Sequence, residues 1–218
     1  MDILQKIAAY KHKEVEAKVK QVPIKSLEQF PAFNLQPPSF SLEFSKDKPH
    51  IIAEHKRRSP SEAILNFNAQ LPDVVKGYTT AGASAISVLT DTYFFGGSLD
   101  DLLLAPQYSP LPLLRKDFML TPYQIIESKA YGASAVLLIA ALLPAETFKN
   151  LAKLANSLGL EVLAEIHDIS ELAQCLLPEV QLIGVNNRNL KTFSTSVATS
   201  KRVIHEIPSE FIKISESG

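Results

Sequence analysis

The sequence is poor in the residue from which disulfides and thiolate metal sites are built. It contains a single cysteine, Cys175, which excludes an intrachain disulfide and a zinc site made of cysteines. Its five histidines show none of the spacings typical of metal ligands. We therefore expect no metal in this protein.

The chain also lacks an excess of charge of either sign and any long apolar run. Lys plus Arg number 22 against 23 Asp plus Glu, a formal net charge of -1, which gives no electrostatic case for binding nucleic acid or a membrane surface. No uninterrupted apolar run approaches the length of a membrane span, and the first residues form no signal-peptide apolar region. We expect a soluble cytoplasmic protein with no nucleic-acid or membrane partner.

What the chain does have is a regular alternation of short apolar strands and helices. Its 218 residues, 46% of them hydrophobic, are enough for one substantial domain. Apolar, β-branched runs occupy 51–54, 84–89, 111–115, 135–139, 160–164, 181–185 and 211–214. Helical patterns lie between them, for example at 71–81, 122–131, 145–157 and 169–176. This alternation predicts a parallel sheet covered by helices, and even spacing favours a (β/α)8 TIM barrel over an open doubly wound sheet.

The two ends of the chain depart from this alternation. An amphipathic helical pattern at 2–20 and a proline-rich connector make residues 1–48 an N-terminal helical extension, which we expect to pack on a barrel formed by 49–218. At the other end, the chain stops after the seventh strand, whereas a closed barrel needs eight. An overlooked strand, another fold and an incomplete chain are the alternatives.

Polar residues cluster where the predicted strands end. Side chains alternate along a strand, so Glu54 and Lys56 share one face of the first strand, and Leu114 and Lys116 share one face of the third. Other strand ends carry Glu165, Asn186 and Glu216. Because barrel enzymes react at the C-terminal ends of their strands, this convergence predicts an active site there.

Each of these residues also has an ordinary structural explanation when it is taken alone. A lysine at a strand end is usually solvated, and Glu165 fits a carboxylate at a helix N-terminus. The asparagine-rich run at 186–189 fits a turn, and Asp168, after His167, fits a helix cap. The aromatic run at 91–97 is either a mobile lid or a plain surface loop. Only their convergence on one face favours a functional site.

Seven blocks of the chain, in order, resemble one enzyme family. They are I-I-A-E-H-K-R-R-S-P-S (51–61), I-S-V-L-T-D-T-Y-F-F-G-G-S-L-D-D-L (86–102), P-L-L-R-K-D-F (112–118), P-Y-Q-I-I-E-S-K-A-Y-G-A-S-A-V-L-L-I (122–139), L-G-L-E-V-L-A-E-I-H-D (158–168), I-G-V-N-N-R-N-L-K-T-F (183–193) and S-E-S-G (215–218). In these blocks the chain resembles indole-3-glycerol-phosphate synthase, the ring-closing enzyme of tryptophan biosynthesis. The resemblance implies a TIM-barrel carboxy-lyase that needs no cofactor. Its substrate, 1-(2-carboxyphenylamino)-1-deoxyribulose 5-phosphate, is closed, decarboxylated and dehydrated to indole-3-glycerol phosphate.

The resemblance also implies catalytic roles. Lys116 is then the general acid at the substrate carbonyl, and Glu165 is the general base of the dehydration. Lys56 contacts the anionic groups of the substrate or donates a proton, while Glu54 holds the lysines in place. Asn186 positions the ring or its carboxylate. Which lysine protonates at which step stays open, because the two would titrate as a coupled set.

The remaining implied residues bind the substrate. Ser59 hydrogen-bonds the carboxylate, and an apolar pocket around the aromatic ring is formed by Phe95, Phe118 and Leu137. The set is completed by Arg188 and Ser217 on the phosphate side, Gly218 beside them, and Glu216 as a second acidic group. The implied partner is the small phosphosugar–anthranilate substrate. The implied assembly is a monomer or weak homo-oligomer, with fusion to or association with other tryptophan-pathway enzymes as an option.

Three departures from the family pattern keep other hypotheses open. Glu62 and Ala63 stand where the family has a small or basic residue and glycine, and 91–93 departs from E-P-x. The family continues after S-E-S-G with a helix and an eighth strand, so we expect half of the phosphate site to be missing and two strand edges to be unpaired. The alternatives are a truncated, non-catalytic remnant and another phosphosugar barrel enzyme, such as phosphoribosylanthranilate isomerase.

Overall fold

Seven parallel strands of the described chain form one curled sheet, in the order β1 to β7, as an incomplete (β/α) barrel. The computed structural model describes residues 3–44, 48–60, 69–189 and 192–217. The strands are β1 (Ile52–His55), β2 (Ala85–Leu89), β3 (Leu113–Lys116), β4 (Ala135–Ile139), β5 (Glu161–Ile166), β6 (Leu182–Asn186) and β7 (Ile212–Glu216). Each lies within two residues of its predicted position, so the predicted fold class is confirmed.

The helices follow the predicted alternation. They are α1 (Ile3–Gln21), α2 (Ile24–Leu27), α3 (Leu71–Thr80), α4 (Thr92–Phe95), α5 (Leu99–Leu104), α6 (Pro122–Ala130), α7 (Ala145–Ser157) and α8 (Ala198–Val203). The segment predicted as a helix at 169–176 is a 3-10 helix, Ile169–Cys175. Its first turn is capped by Asp168, whose carboxylate accepts from the Ser170 amide at 3.1 Å. Among the described residues, none of the helices is both long and apolar enough to cross a membrane.

Alternation along the strands divides the core into two layers. Residues that face outward pack between the sheet and the helices, for example Val88, Leu113, Val136, Val162 and Ile183. Residues that face inward fill the barrel interior, for example Ala85, Leu114, Leu137, Leu163 and Leu182. Leu114 points inward, and Lys116, predicted to share its face, therefore points to the mouth of the barrel.

The sheet is open along one side, between β1 and β7. Within the described ranges, β1 pairs with β2 alone and β7 pairs with β6 alone. Ile51, which precedes β1, is 67% exposed, and β7 alternates half-buried and exposed residues. Both edges are thus unpaired among the residues that the structure describes.

The N-terminal segment packs against the barrel at two places. Helix α1 buries Ile7, Lys11 and Val15, one face of the helix at a spacing of four residues. The connector then runs through α2 and two short 3-10 helices, Pro31–Asn34 and Ser41–Glu43. Between these 3-10 helices, the side chain of Phe40 is fully buried in the inward-facing core. Phe40 thus closes the interior at the N-terminal ends of the strands.

A single carboxylate holds this closure in place. Glu161, the first residue of β5, accepts hydrogen bonds from Ser39 Oγ at 2.6 Å, the Phe40 amide at 2.8 Å and the Ser41 amide at 2.9 Å. We expect Glu161→Ala to lower the free energy of unfolding by about 2–4 kcal/mol, because two partly buried amides lose their acceptor. Urea denaturation followed by circular dichroism measures the change.

Two variants sharpen that measurement. Glu161→Gln keeps an oxygen acceptor and should lose less stability than Glu161→Ala. Glu206→Ala removes an exposed glutamate and should change the unfolding midpoint little. Equal midpoints for Glu161→Ala and the parent chain would show that this carboxylate does not hold the closure.

Candidate active site

A cavity of about 990 Å³ opens at the C-terminal ends of the strands and continues into the barrel interior. Twelve of the thirteen predicted site residues line it: Glu54, Lys56, Ser59, Phe95, Lys116, Phe118, Leu137, Glu165, Asn186, Arg188, Glu216 and Ser217. Gly218 lies outside the described residues, as do Glu62 and Ala63. The structure therefore brings together the residues that the strand ends and the resemblance had selected.

Lys116 lies at the centre of the site, between carboxylates. Its ammonium donates a hydrogen bond to Glu216 and lies 3.3 Å from Glu165 Oε2. Burial alone would lower the pKa of Lys116, but the nearby carboxylates, Glu216 first, outweigh burial and raise it. Lys116 is therefore held as a charged ammonium, the form that can donate a proton.

Glu165 is surrounded by groups that favour its ionised form. Its Oε1 accepts a hydrogen bond from Asn186 Nδ2 at 3.1 Å and lies 3.4 Å from His167 Nε2. Burial would raise the pKa of Glu165, but Lys116 and then His167 lower it below its ordinary value. Glu165 is thus a carboxylate over the neutral pH range, as a proton acceptor must be.

Glu216 differs from Glu165, because the pKa of its carboxyl is raised rather than lowered. Burial raises the pKa of its carboxyl to about 7, and the Lys116 ammonium only partly offsets this because the Glu165 carboxylate adds to the rise. Its Oε1 has no hydrogen-bond partner within the described chain. A side chain at Gly184 would collide with that oxygen, which explains why β6 has glycine at this position. Glu216 is therefore a carboxyl that titrates near neutral pH.

Glu54 and Lys56 form a pair at the end of β1. The Lys56 ammonium lies 2.7 Å from Glu54 Oε1, and Ser87 Oγ lies 3.4 Å from the other oxygen. Burial raises the pKa of Glu54, but Lys116 and Lys56 together lower it further than burial raises it. Glu54 therefore contacts Lys56 directly and acts on Lys116 through space, whereas Glu165 and Glu216 contact Lys116.

An aromatic wall bounds one side of the cavity. The rings of Phe95 and Phe118 lie 5.9 Å apart between centroids, and Leu137 lines the cavity with them. The 91–97 run that carries Phe95 is not a plain loop, because residues 92–95 form α4. Asp91 caps this helix, with Oδ1 accepting from the amides of Phe94 at 2.6 Å and Phe95 at 3.2 Å. An apolar wall of this kind suits the face of an aromatic ring.

Arg188 and Ser217 lie on the opposite rim. Asn186 Oδ1 accepts from the Arg188 amide at 3.0 Å, which holds the turn after β6. The Arg188 guanidinium donates to the Phe193 carbonyl at 3.3 Å. Ser217 follows β7 in the left-handed backbone region, with φ of 59°, a conformation that is uncommon for serine. The two residues place a cation and a hydroxyl at this rim.

Beneath the mouth, Arg115 of β3 points away from the cavity into the helix layer. Arg115 is 1% exposed and lies 2.7 Å from Glu127 of α6 and 3.2 Å from Asp117. Its Nε also donates to Thr90 Oγ1 at 3.0 Å. The strand thus divides its charges between two faces, with Lys116 in the site and Arg115 in the helix layer. Asp117, which follows the strand, lines the cavity and also contacts Arg115.

Three residues near the site were missed from the sequence. Ser87 lies on the inward face of β2, and alternation with Ala85 and Leu89 could have indicated it. His167 was interpreted only as a residue before a helix cap, yet it lies beside Glu165. Lys11 interrupts the apolar stripe of α1, a pattern that signals a buried charge. Within the described residues, no group of three or more His, Cys, Asp or Glu is arranged to hold a metal ion.

Comparisons with known proteins show the family to which the chain is similar. Residues 4–218 match the family model described as "Indole-3-glycerol phosphate synthase". The chain is 42% identical over 221 residues to the indole-3-glycerol phosphate synthase of Albidiferax ferrireducens, covering 100% of this chain and 84% of that protein. It is 43% identical over 219 residues to that of Bacteroides thetaiotaomicron, covering 100% and 83%.

Among solved structures, the likeness extends to a protein of different sequence. The structure named "Native KDPGal structure" aligns with a TM-score of 0.50 at 15% identity, covering 78% of this chain and 72% of that one. At that identity the likeness supports the fold alone. The family match and the full-length identity to curated relatives go further, and this chain belongs to the indole-3-glycerol phosphate synthase family.

Proposed function

We propose that this protein converts 1-(2-carboxyphenylamino)-1-deoxyribulose 5-phosphate to indole-3-glycerol phosphate, carbon dioxide and water. The observation that carries the proposal is the Lys116 ammonium, which lies between Glu165 and Glu216 at a mouth bounded by the aromatic wall. The reaction closes a carbon–carbon bond and loses a carboxylate, so the enzyme is a carboxy-lyase. It takes place in the cytoplasm, in a monomer or weak homo-oligomer.

Lys116 acts first, as the general acid. The ring carbon that bears the carboxylate attacks the ketone carbon, and Lys116 protonates the carbonyl oxygen as it becomes a hydroxyl. The bond to the carboxylate then breaks, and its electrons restore the aromatic ring as carbon dioxide leaves. A buried ammonium that is already aligned stabilises the developing negative charge on the oxygen.

Glu165 acts in the second half, as the general base. The new hydroxyl leaves as water after it receives a proton from Lys116 or Lys56. Glu165 accepts the proton that the new ring loses in the same step. Asn186 holds the Glu165 carboxylate in position through the 3.1 Å hydrogen bond from its amide. One site thereby supplies a proton at one point and removes a proton at another.

The substrate is held by its aromatic and anionic ends. Phe95, Phe118 and Leu137 contact the anthranilate ring, and Ser59 hydrogen-bonds its carboxylate. The phosphate lies at the rim formed by Arg188 and Ser217, with Lys56 contacting the anionic groups from β1.

The direct test is indole fluorescence after addition of the substrate. The chain contains no tryptophan, so the fluorescence of the indole product rises from a low background. Steady product formation supports the proposal. Substrate binding without indole would instead identify a non-catalytic remnant, and consumption of phosphoribosylanthranilate without indole would identify an isomerase.

The pH dependence of kcat/KM reports the ionisation of Glu216. Below about pH 7 Glu216 is protonated and neutral, and above that pH it adds a negative charge to the site. Because the substrate is an anion, we expect kcat/KM to fall roughly 3–10-fold as the pH rises through that value. Stopped-assay rates between pH 6 and pH 8.5 measure the fall.

A matched variant separates Glu216 from the substrate phosphate, which also titrates. Glu216→Gln carries no charge at any pH, so its profile should lack this fall even if its rate is lower throughout. Glu206→Gln removes an exposed carboxylate and should keep the profile of the parent chain. A Glu216→Gln profile parallel to that of the parent would refute the assignment.

A further inference from the structure

We propose that Lys11, on the N-terminal helix α1, is a positioning residue for the active site, because it ties α1 to the two segments that carry Phe95 and Lys116. The kinetic part of this inference rests on the proposed function. Lys11 lines no part of the cavity, so its effect is exerted through Asp91 and Asp117, which it contacts.

Lys11 is a buried cation with three carboxylate partners. Its side chain is 1% exposed, and its ammonium lies 2.7 Å from Asp91 Oδ2, 3.0 Å from Asp117 Oδ1 and 3.0 Å from Glu14 Oε2. The side chains of Asp91 and Asp117 are themselves 0% exposed. The ammonium donates a hydrogen bond to Glu14 of the same helix and forms ion pairs with Asp91 and Asp117. The side chain thereby joins three elements: α1, the segment after β2 and the segment after β3.

The first of these elements, the segment after β2, carries Phe95 of the aromatic wall. Asp91 uses Oδ1 to cap α4, accepting from the Phe94 and Phe95 amides, while Oδ2 takes the Lys11 ammonium. The neighbouring residue Tyr10 stacks on Tyr93 at 4.3 Å between ring centroids. Helix α1 therefore orients both the capping carboxylate and the outer face of α4. Phe95 is the last residue of this short helix, so the position of its ring depends on that orientation.

The second element carries the general acid. Asp117 directly follows Lys116, and its Oδ1 accepts from the Phe118 amide at 2.8 Å as well as contacting Lys11. Its Oδ2 accepts from Thr90 Oγ1 at 2.6 Å and lies 3.2 Å from Arg115. The residues on either side of Asp117, Lys116 and Phe118, both belong to the site. A shift of this carboxylate would therefore move Lys116 and Phe118.

Among the described residues Lys11 is the cation that contacts both buried aspartates, whereas Arg115 contacts Asp117 alone. Without Lys11, Asp91 and Asp117 present like charges to each other with little solvent between them, and the pair relaxes by protonation or by moving apart. Moving apart separates Phe95 from Lys116. Since displacements of about 1 Å can change rates by roughly 100-fold, a lost tether should be visible in catalysis as well as in stability.

The test compares three variants for kcat, KM and the urea midpoint. Lys11→Met removes the charge and keeps the length of the side chain. Lys11→Met with Asp91→Asn restores the local charge balance and keeps an oxygen that caps α4. Lys13→Met makes the same substitution at an exposed position of the same helix. We expect Lys11→Met to lower both the midpoint and kcat/KM, with at least a 10-fold loss in kcat/KM through a raised KM and a lowered kcat.

The double variant separates positioning from stability. We expect it to recover most of the urea midpoint, while its kcat/KM stays at least 10-fold below that of the parent chain. Lys13→Met should match the parent chain in all three measurements. If kcat/KM recovers together with the midpoint in the double variant, Lys11 is a structural residue only and the inference is overturned.

Hydrogen exchange gives a readout that needs no substrate. The Phe94 and Phe95 amides, which donate to Asp91, should exchange at least 10-fold faster in both Lys11 variants, while amides of α7 keep their rates. Unchanged exchange at these two amides would contradict the proposal that Lys11 ties α1 to the segment that carries Phe95. If the parent chain forms no indole, the proposed function fails by itself, and hydrogen exchange still decides the role of Lys11.

Discussion

Replacing Lys116 with methionine should abolish indole formation while the barrel stays folded. The ammonium of Lys116 is the group that protonates the carbonyl oxygen in our mechanism, and methionine fills similar space without a proton to give. We expect kcat to fall by roughly 1,000-fold or more, since the general acid and its charge are lost together. Single-turnover fluorescence measures the loss, and far-UV circular dichroism checks the fold.

The charge left behind must be separated from the lost proton donor. Lys116→Met leaves Glu165 and Glu216 facing each other without the cation between them. The double variant Lys116→Met with Glu216→Gln restores the charge balance, and we expect it to remain inactive. Lys153→Met, on the exposed face of α7, should keep full activity. Turnover near that of the parent chain in either Lys116 variant would refute the assigned role.

Replacing Glu165 with glutamine should stop the reaction at a later point. Glutamine keeps the oxygen that accepts from Asn186 but accepts no proton from the substrate. We expect kcat for indole formation to fall by roughly 100- to 10,000-fold, the range typical of a lost general base. Because ring closure and decarboxylation come before the dehydration, carbon dioxide should be released faster than indole appears in a single turnover.

The Lys116→Met and Glu165→Gln variants therefore differ in which product fails to form. Lys116→Met should release neither carbon dioxide nor indole, whereas Glu165→Gln should release carbon dioxide first and accumulate the hydroxylated intermediate. A rapid-quench time course that follows both products measures this difference. Equal amounts of carbon dioxide and indole at every time point in Glu165→Gln would contradict a role confined to the dehydration.

Much of the fold could be predicted because strand alternation is a local property. Periodicity placed all seven strands, and the inward direction of Leu114 placed Lys116 at the mouth. The gathering of Glu54, Glu165 and Asn186 into one cavity followed from the rule that parallel strands end at one face. Their individual roles came from the resemblance and remain proposals, since geometry alone assigns no proton to any of them.

Other parts of the site depend on contacts between segments far apart in the chain. No local pattern shows that Asp91 and Asp117 share Lys11, because the three residues meet only after α1 has packed on the barrel. The aromatic run at 91–97 was interpreted as a lid or loop because a four-residue helix with an aspartate cap has too few residues for periodicity. The raised pKa of Glu216 likewise reflects burial beside Glu165, which no sequence window contains.

The split of charges along β3 has a consequence for how the strand finds its register. Leu113 and Leu114 are both buried, one on each face of the sheet, so a slip by one residue would exchange two leucines at little cost. The same slip would carry Lys116 into the helix layer and Arg115 into the cavity, away from Glu127. The ionic residues, rather than the apolar ones, therefore discriminate the native pairing of Leu89 with Lys116. The charged residues of β3 therefore favour the native register of the strand during folding, in addition to their place in or beside the active site.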